Sequence, residues 1–431
     1  MRPARQNINM TGTGTQTHIT TSSIKFLFVD PATEEDILNV EMNRFLSLSS
    51  FLLILALADA TLSPTDKKAK KQVKEDRKSG PVDKDAFERK LVKQDLKVKD
   101  ILREAGSYSQ NVKRKSFRSG EVLGYITPWN GDGYTNAVKF HGKMDMVSPV
   151  WLTINSQNPF NVPTHDIKKS WIHSIKSANR DNHTVKIVPR VLFEGWSQID
   201  IIDFEKDNDK VSHLVDTLND LADEYHFDGY VLEIWNQFVI AGVKKSIVAS
   251  MVNSIARGLR ESDRDIILAV PPLRGFKKEL FTKKDFDSLA LYVRYFSLMT
   301  YDYSNIQHPG ANAPIDWVRK CIETLVPDSK DLKRTQILMG LNFYGYHYTH
   351  SGGGPIVGSQ YLNLLEHLKG KIQWDDKSQE HFFEVKSPET GYVFYPTAHS
   401  IMLRIDLAHE LDTGLAIWEL GQGLPYFYDL L

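Results

Sequence analysis

The chain is poor in cysteine and carries almost no net charge. Its 431 residues include one cysteine, Cys321, so no disulfide bond can form within the chain. The fold must therefore be stabilised by its own apolar core, and 41% hydrophobic residues are sufficient to build one. The formal net charge of −1 at pH 7 gives no electrostatic reason to expect a nucleic acid as partner.

Several ligand-binding signatures are also missing. The 14 histidines show no HExxH or similar spacing, so we predict no metal site. No glycine fingerprint follows the first predicted strand, and the glycines at 352–354 lack the Lys-Ser/Thr of a phosphate-binding loop. We therefore predict no cofactor.

The N-terminal 60 residues divide into two segments. Residues 1–41 are polar and lack apolar periodicity, and we interpret them as a disordered extension or as sequence upstream of the true start. Residues 42–60 have a short basic start, the apolar run FLSLSSFLLILALA and small residues at the end, which is typical of a secretory signal peptide. The run is too short to span a bilayer comfortably, so we predict no membrane span in the mature chain.

The segment 61–116 is rich in basic residues. It holds seventeen Lys or Arg against nine acidic residues, and the run KKAKKQVKEDRK lies at 67–78. This charge density is typical of a solvated, flexible arm, although a docking or processing segment is an alternative. The folded domain is predicted to span 117–431.

Eight short apolar runs follow, and each is predicted to be a β-strand. They lie at 121–129, 144–154, 184–196, 227–235, 265–272, 295–304, 336–345 and 414–421. Near-continuous apolar strands are what a parallel sheet covered on both faces requires. The intervening segments have helical spacing, as in Val211, Leu214, Val215 and Leu218. Eight such units predict an α/β fold, the closed (β/α)8 TIM barrel, and an open doubly wound sheet is the alternative.

The longest interval separates the seventh and eighth strands, at 346–413. Within it, HFFEVK (381–386) and YVFYP (392–396) predict a small hairpin insertion. Its aromatic residues either form one wall of a cleft or pack on the barrel rim.

The fourth strand, FDGYVLEIW at 227–235, carries the most informative pattern. In such barrels, side chains at the C-terminal ends of the strands build the site. Residues alternate in direction along a strand, so Gly229, Val231, Glu233 and Trp235 are predicted to share one face. If that face points inward, Glu233 lies within the barrel and Trp235 lies at its mouth.

The region from about 121 to 431 resembles glycoside hydrolase family 18, the chitinases and chitinase-like lectins. The family carries a fourth-strand motif D-G-x-D-x-D-x-E, whose last Glu protonates the glycosidic oxygen and whose last Asp positions the acetamido group of the substrate. Here the motif is DGYVLEIW, in which Glu233 stands in place of the last Asp and Trp235 replaces the catalytic Glu. An indole N–H is not a usable acid near neutral pH, and loss of a general acid costs about 10²–10⁴-fold in rate. We therefore predict no catalytic residue and no enzyme activity.

Other segments also resemble the sugar site of the family. MTYD at 299–302 matches the sixth-strand motif, in which Tyr301 and Asp302 face the acetamido group of a bound sugar. Trp418 matches the tryptophan at the floor of the sugar site, and Tyr125 resembles a further wall residue. Aromatic faces suit pyranose rings, and carboxylates accept hydroxyl and amide hydrogens. The predicted sugar-binding residues are Tyr125, Glu233, Trp235, Tyr301, Asp302 and Trp418.

The resemblance implies a secreted or lysosomal saccharide-binding protein. Its expected partner is an oligosaccharide, either a chitooligosaccharide or a microbial glycan such as lipopolysaccharide. One alternative is a divergent glycosidase that uses Glu233, Glu194 or Asp302 as its acid. Another is a receptor-binding module with a scavenger-receptor-type protein partner and no sugar affinity, since a fold alone does not assign a function.

Overall fold

The structure is a computed structural model that describes residues 77–112, 115–179, 183–275, 278–386 and 390–431. These residues all belong to the unit Pro64–Leu431. The predicted extension 1–41 and signal peptide 42–60 lie outside the described residues. None of the helices in the described ranges combines the length and the apolar character needed to cross a bilayer.

The described residues form strands, α-helices and three short 3-10 helices. The strands are β1 (Ser79–Val82), β2 (Gly106–Ser109), β3 (Val122–Ile126), β4 (Met146–Pro149), β5 (Leu152–Asn155), β6 (Lys186–Ile187), β7 (Arg190–Glu194), β8 (Gly229–Glu233), β9 (Asp265–Val270), β10 (Tyr295–Leu298), β11 (Ile337–Asn342), β12 (Gly345–Thr349), β13 (Gly352–Ile356), β14 (Gln373–Asp375), β15 (Glu380–Val385), β16 (Gly391–Phe394) and β17 (Gly414–Trp418). The α-helices are α1 (Val98–Glu104), α2 (Gly131–Lys139), α3 (Lys169–Ala178), α4 (Gln198–Lys206), α5 (Asn208–Tyr225), α6 (Trp235–Ile240), α7 (Lys245–Glu261), α8 (Lys283–Leu289), α9 (Ile315–Leu325), α10 (Gly358–Glu366) and α11 (Ala398–Glu410). The 3-10 helices are His141–Lys143, Leu332–Gln336 and Pro425–Leu430.

Ten strands form one parallel sheet that closes into a barrel. Their order is β5-β7-β8-β9-β10-β11-β17-β3-β4-β6. β4 and β5 are two halves of one interrupted strand, as are β6 and β7, so the pairings of β4 with β6 and of β5 with β7 close the ring at eight strand positions. Pro149 and Pro189 lie at the interruptions, where the missing N–H removes a ladder hydrogen bond. The predicted TIM barrel is confirmed.

Two apolar clusters stabilise the barrel. The smaller fills its interior and consists of Leu123, Tyr125, Met146, Val188, Val231, Ile267, Ala269, Leu338 and Ala416. The larger lies between the sheet and the helices, where α5 buries Val211, Leu214, Leu218 and Ala222 on one face. Because the interior is filled, the C-terminal rim of the strands remains as the place for a site.

The insertion between β11 and β17 is larger than predicted. β15 and β16 form the expected hairpin, but they belong to a five-stranded antiparallel sheet of order β13-β12-β16-β15-β14, accompanied by α10. The glycine-rich β13 has no apolar pattern. It can pair closely with β12 only because glycine has no side chain. Gly353 has φ +98°, and a Cβ there would lie 2.0 Å from the His347 carbonyl oxygen.

Residues 77–112 lie within the segment that its charge predicts as a solvated arm, and there the structure contains β1, α1 and β2. β1 and β2 pair in parallel, and the widely spaced apolar residues Ala86, Leu91, Leu96 and Ile101 are buried. Arg89 connects the segment to the C-terminal 3-10 helix, since its guanidinium donates to Glu104 at 3.0 Å and to Asp429 at 2.6 Å. The buried apolar side chains and this paired arginine offset the entropy of ordering the segment.

Candidate functional site

The C-terminal rim of the barrel brings together Tyr125 of β3 and Trp418 of β17. These strands are neighbours, and the two rings lie 5.1 Å apart at 49°. The Tyr125 hydroxyl donates to Ser297 Oγ at 2.9 Å, and burial raises the pKa of this phenol. Trp418 keeps part of its ring exposed. Trp418, predicted as the floor of a sugar site, and Tyr125, predicted as a wall residue, are therefore neighbours, and their sugar binding stays a prediction.

Glu233 also points into the barrel, where it binds Arg190. Arg190 of β7 pairs with Val231 of β8, which belongs to the interior cluster, so Arg190 faces inward, as does Glu194 at the same parity along β7. The Arg190 guanidinium donates to Glu233 Oε2 at 2.7 Å, and the two side chains are 13% and 24% exposed. Arg190 was not among the residues predicted from the sequence, and its contact with Glu233 makes it a candidate site residue. The sequence feature that could have indicated it is a single arginine inside the otherwise largely apolar run 184–196.

Asp302 forms a polar cluster with Tyr344, which follows β11, and with Tyr346 of β12. The Tyr344 hydroxyl donates to Asp302 Oδ1, and the Asp302 backbone N–H donates to Asn312 Oδ1 at 2.6 Å. The Tyr301 and Tyr344 rings meet edge to face at 6.1 Å. Burial raises the pKa of Asp302, while the hydrogen bonds from Tyr344 and Tyr346 oppose this effect. Tyr301 and Asp302 therefore lie in one cluster after β10, and the expectation that they face a bound sugar stays a prediction.

Trp235 does not lie at the mouth of the barrel, and that prediction is wrong. β8 ends at Glu233, Ile234 adopts φ −128° and ψ −34°, and α6 begins at Trp235, so strand alternation stops before this residue. The indole is fully buried in the cluster between sheet and helices, with its N–H donating to the Leu280 carbonyl at 2.9 Å. It packs edge-on against Phe281 at 5.1 Å. Its ring therefore neither stacks on a ligand nor plugs the cleft.

Two exposed aromatic residues and one arginine at the rim were also missed. Trp129 follows β3 and is 60% exposed, and Tyr303 follows β10 and is 51% exposed. Arg274, which follows β9, donates to the Asp302 carbonyl and lies over the Trp317 ring at 5.8 Å. In the sequence, an aromatic residue shortly after a predicted barrel strand could have indicated these rim positions.

Two further carboxylates end barrel strands. Glu194 is the last residue of β7, faces the rim and is exposed. Glu419 follows β17 and is fully buried, with Asn130 Nδ2 donating to Oε1 and the Gly421 N–H donating to Oε2 at 3.1 Å. Burial raises the pKa of Glu419 to about 7, although these donors favour the ionised form.

The rim combines aromatic rings with charged and hydrogen-bonding side chains. Within the residues that the structure describes, no group of three His, Cys, Asp or Glu side chains is placed to hold a metal ion. Aromatic rings, paired carboxylates and a guanidinium instead provide apolar faces with hydrogen-bonding groups between them. Such groups can contact the apolar faces and the hydroxyl groups of a ligand.

Comparisons with known proteins agree with this fold. Residues 121–423 match the model of the glycosyl hydrolases family 18. The spore cortex-lytic enzyme SleL of Bacillus megaterium has 20% identity and a TM-score of 0.59, with 74% of each chain covered. A chitinase from Chromobacterium violaceum has 17% identity and a TM-score of 0.59, covering 72% of this chain and 97% of its own. A mutant chitinase from Cycas revoluta, in complex with (GlcNAc)4, has 14% identity and a TM-score of 0.58, covering 72% of this chain and 98% of its own.

At these identities the solved structures show the shared barrel fold. The family model spans well over half of the chain and includes all eight strand positions of the barrel. The chain therefore belongs to family 18 of the glycosyl hydrolases.

Proposed function

We propose that this protein binds saccharides at the C-terminal rim of its barrel and does not hydrolyse them. The observation that carries the proposal is the position of Trp235. It occupies the place of the catalytic Glu in the fourth-strand motif, and its ring is buried outside the barrel interior. No acidic side chain from this position reaches the rim, so the proton donor of the family scheme is missing.

The remaining carboxylates support binding better than acid catalysis. Glu233 accepts a hydrogen bond from Arg190, so its carboxylate acts as an acceptor. Asp302 accepts hydrogen bonds from Tyr344 and Tyr346. A divergent glycosidase would have to use one of these carboxyl groups or the exposed Glu194 as its acid.

The aromatic residues supply the surfaces for sugar rings. We assign Trp418, next to Tyr125, as the stacking floor and the exposed Trp129, which follows β3, as a second stacking surface. Tyr301, Asp302 and Glu233 would take hydrogen bonds from hydroxyl and amide groups. The complex of the Cycas revoluta chitinase with (GlcNAc)4 makes chitin oligosaccharides the first ligands to test, and microbial glycans such as lipopolysaccharide follow.

Within the family, we propose that the chain is similar to chitinase domain-containing protein 1. The segments that support this are SPVWL, VLEIW, SLMTYDYS, GLNFYG and the closing WELGQGLPYFYDLL. That resemblance implies a secreted or lysosomal protein, in keeping with the signal-like segment 42–60. It also leaves a scavenger-receptor-type protein partner as a prediction.

Calorimetric titration with chitin oligosaccharides, followed by mass spectrometry of the recovered sugar, tests the proposal. We expect saturable heat and intact sugar. Shortened sugar overturns the proposal, and loss of cleavage in Glu233→Gln or Asp302→Asn would then identify the acid. Intact sugar with no heat at about millimolar concentration means that binding is weaker than about −4 kcal/mol and contradicts binding of chitin oligosaccharides. The same result with lipopolysaccharide contradicts saccharide binding and favours the receptor module.

A further inference from the structure

Arg190 carries hydrogen-bond donors that no described part of the chain uses. Its Nη1 donates to Glu233 Oε2 at 2.7 Å, and this is the only hydrogen bond of its side chain to a described residue. Nε is buried without a partner. Nη2 likewise has no partner among the described residues, and the side chain keeps 13% of its surface exposed. Nε and Nη2 form one edge of the guanidinium, so an edge that can bind a planar acceptor through two parallel hydrogen bonds is free.

Arg190 lies across the mouth of the barrel from Trp418. Counted around the closed sheet from β17, the strand positions are β3, then β4 with β5, then β6 with β7, so three of the eight steps separate the two residues. The interior of an eight-stranded barrel is just wide enough for side chains. The charges of Arg190 and Glu233 both act on the phenols of Tyr125 and Tyr301, so these four side chains share one region of the mouth. A sugar ring on Trp418 therefore has Arg190 within reach of its substituents.

The charges at the mouth leave room for an anionic group on that edge. The formal charges of Arg190 and Glu233 cancel. Asp302 is opposed by Arg274, which acts on it through its charge and forms no ion pair with a carboxylate of the described residues. Glu194 ends β7 in an exposed position, where solvent and salt screen its charge. A ligand carboxylate on the free edge therefore meets a guanidinium, while the nearest carboxylates already have cationic neighbours.

The same chain shows that one buried arginine can bridge two carboxylates. Arg89 Nη1 donates to Glu104 at 3.0 Å and Arg89 Nη2 donates to Asp429 at 2.6 Å, and the Arg89 side chain is 5% exposed. The five N–H donors of a guanidinium lie in one plane, so two carboxylates can approach it from different sides. Arg190 has the first of these contacts, to Glu233, and lacks the second. A carboxylate on the ligand would complete the same arrangement.

We propose that Arg190 recognises an acidic sugar, one that carries a carboxylate, in the ligand that binds at the rim. The carboxylate accepts hydrogen bonds from Nη2 and Nε while a sugar ring stacks on Trp418, and Nη1 keeps its bond to Glu233. This inference rests on the proposed saccharide function and names the class of sugar. A carboxylate suits the edge because its two oxygens accept both parallel N–H bonds. It also gives a partner to the buried Nε, whose unsatisfied state costs free energy.

Three disaccharides that differ only in one substituent test the proposal. Chitobiose is the unsubstituted form, and GlcNAc linked to N-acetylmuramic acid has the same two rings with a lactyl carboxylate added. The methyl ester of the latter keeps the bulk of the lactyl group without its charge. In calorimetric titration at about pH 7, where a carboxylate is ionised, we expect the parent to bind the acid about tenfold more tightly than the ester, as for a hydrogen bond to a charged group.

The result for the parent separates this inference from the proposed function. If chitobiose and the ester bind as tightly as the acid, saccharide binding stands and the acidic-sugar inference is overturned. If the parent binds none of the three disaccharides, the inference fails together with the binding of chitin oligosaccharides. This comparison uses the unaltered chain, so it does not depend on the folding of any variant.

Arg190→Lys then assigns the preference to the guanidinium. Lysine keeps a positive charge beside Glu233 but has no planar edge with two parallel donors. We expect the variant to lose about tenfold in affinity for the acid and to bind the acid and the ester about equally. Arg319→Lys is the matched control, because it also removes a two-point contact, that of Arg319 with Glu410, on the helices α9 and α11. It should keep the parental preference, and a preference that persists in Arg190→Lys overturns the role of Arg190.

Discussion

Arg190 and Glu233 form an ion pair inside the mouth of the barrel, with 2.7 Å between the guanidinium Nη1 and the carboxylate Oε2. Arg190 Nε is buried and has no hydrogen-bond partner among the described residues. The pair therefore neutralises the carboxylate that stands in the place of the last Asp of the family motif. It also leaves one donor of the guanidinium unused at the base of the proposed sugar site.

Removal of the arginine alone should destabilise the fold. Arg190→Met leaves Glu233 charged and largely buried, and we expect a loss of about 1–3 kcal/mol, less than for a fully buried pair because both groups keep some solvent contact. Urea unfolding measures the change. The double variant Arg190→Met with Glu233→Gln is the control and should recover much of the loss. If the double variant is as unstable as the sum of the two single variants, the two residues are not coupled.

Restoring the motif at position 235 should not restore hydrolysis. The backbone turns into α6 before this residue, so Trp235→Glu places a carboxyl group in the apolar cluster rather than at the rim. We expect loss of about 3–5 kcal/mol of stability, as for truncation of a buried aromatic ring, and no release of sugar from chitin oligosaccharides. Trp235→Phe is the control for packing and should lose less. Hydrolysis by Trp235→Glu would contradict the outward placement of this side chain.

The strands of the barrel could be predicted from sequence because each buries both faces and is therefore apolar along its length. The same property could not reveal β12, β13 and β14, which are polar or glycine-rich and depend on pairing with distant partners. The position of Trp235 was predicted wrongly because side chains alternate between the two faces only within a strand, and β8 ends at Glu233. Residues 77–112 were predicted as solvated because their few buried side chains, such as Leu91 and Ile101, are hidden among many lysines.

Within the candidate site, the aromatic and acidic residues could be predicted from motifs, whereas their partners could not. Glu233 lies in a recognised motif, but Arg190 is 43 residues away in sequence and meets it only because β7 and β8 are adjacent. Glu419 is similarly joined to Asn130 across 289 positions. Contacts between neighbouring barrel strands and loops depend on how the whole sheet closes into a barrel. A local sequence pattern carries no information on which distant residues this closure brings together.

Trp418→Ala should weaken sugar binding more than any change remote from the rim. Its partly exposed ring stands beside Tyr125, and loss of one stacking surface corresponds to about 1 kcal/mol or more, at least fivefold in the dissociation constant. Trp418→Phe should retain part of the affinity. Phe87→Ala is the matched control, because Phe87 is an exposed aromatic residue of the N-terminal segment. Equal affinity of Trp418→Ala and Phe87→Ala would place the sugar elsewhere.

Acid should weaken the attachment of the N-terminal segment to the insertion sheet through His381. This imidazole is buried, with Nε2 at 2.8 Å from the Gln94 carbonyl and Nδ1 at 2.8 Å from Thr397 Oγ1. Burial lowers the pKa of His381 to about 4, below its ordinary value of 6.5. The unfolded chain therefore takes up a proton that the folded chain resists, and the free energy of unfolding should fall as pH decreases from 6.5 to about 4, by up to about 3 kcal/mol.

Urea unfolding at a series of pH values, combined with hydrogen exchange of residues 77–112, measures this contribution of His381. His381→Gln keeps a donor for the Gln94 carbonyl but cannot be protonated, so its stability should depend less on pH over the same range. Glu419 acts in the opposite direction, since a carboxyl whose pKa is raised to about 7 stabilises the fold below pH 4.5 and loses that effect as pH rises to 7. Glu419→Gln separates the two contributions. If His381→Gln loses stability in acid as steeply as the parent, another group controls the attachment of the N-terminal segment.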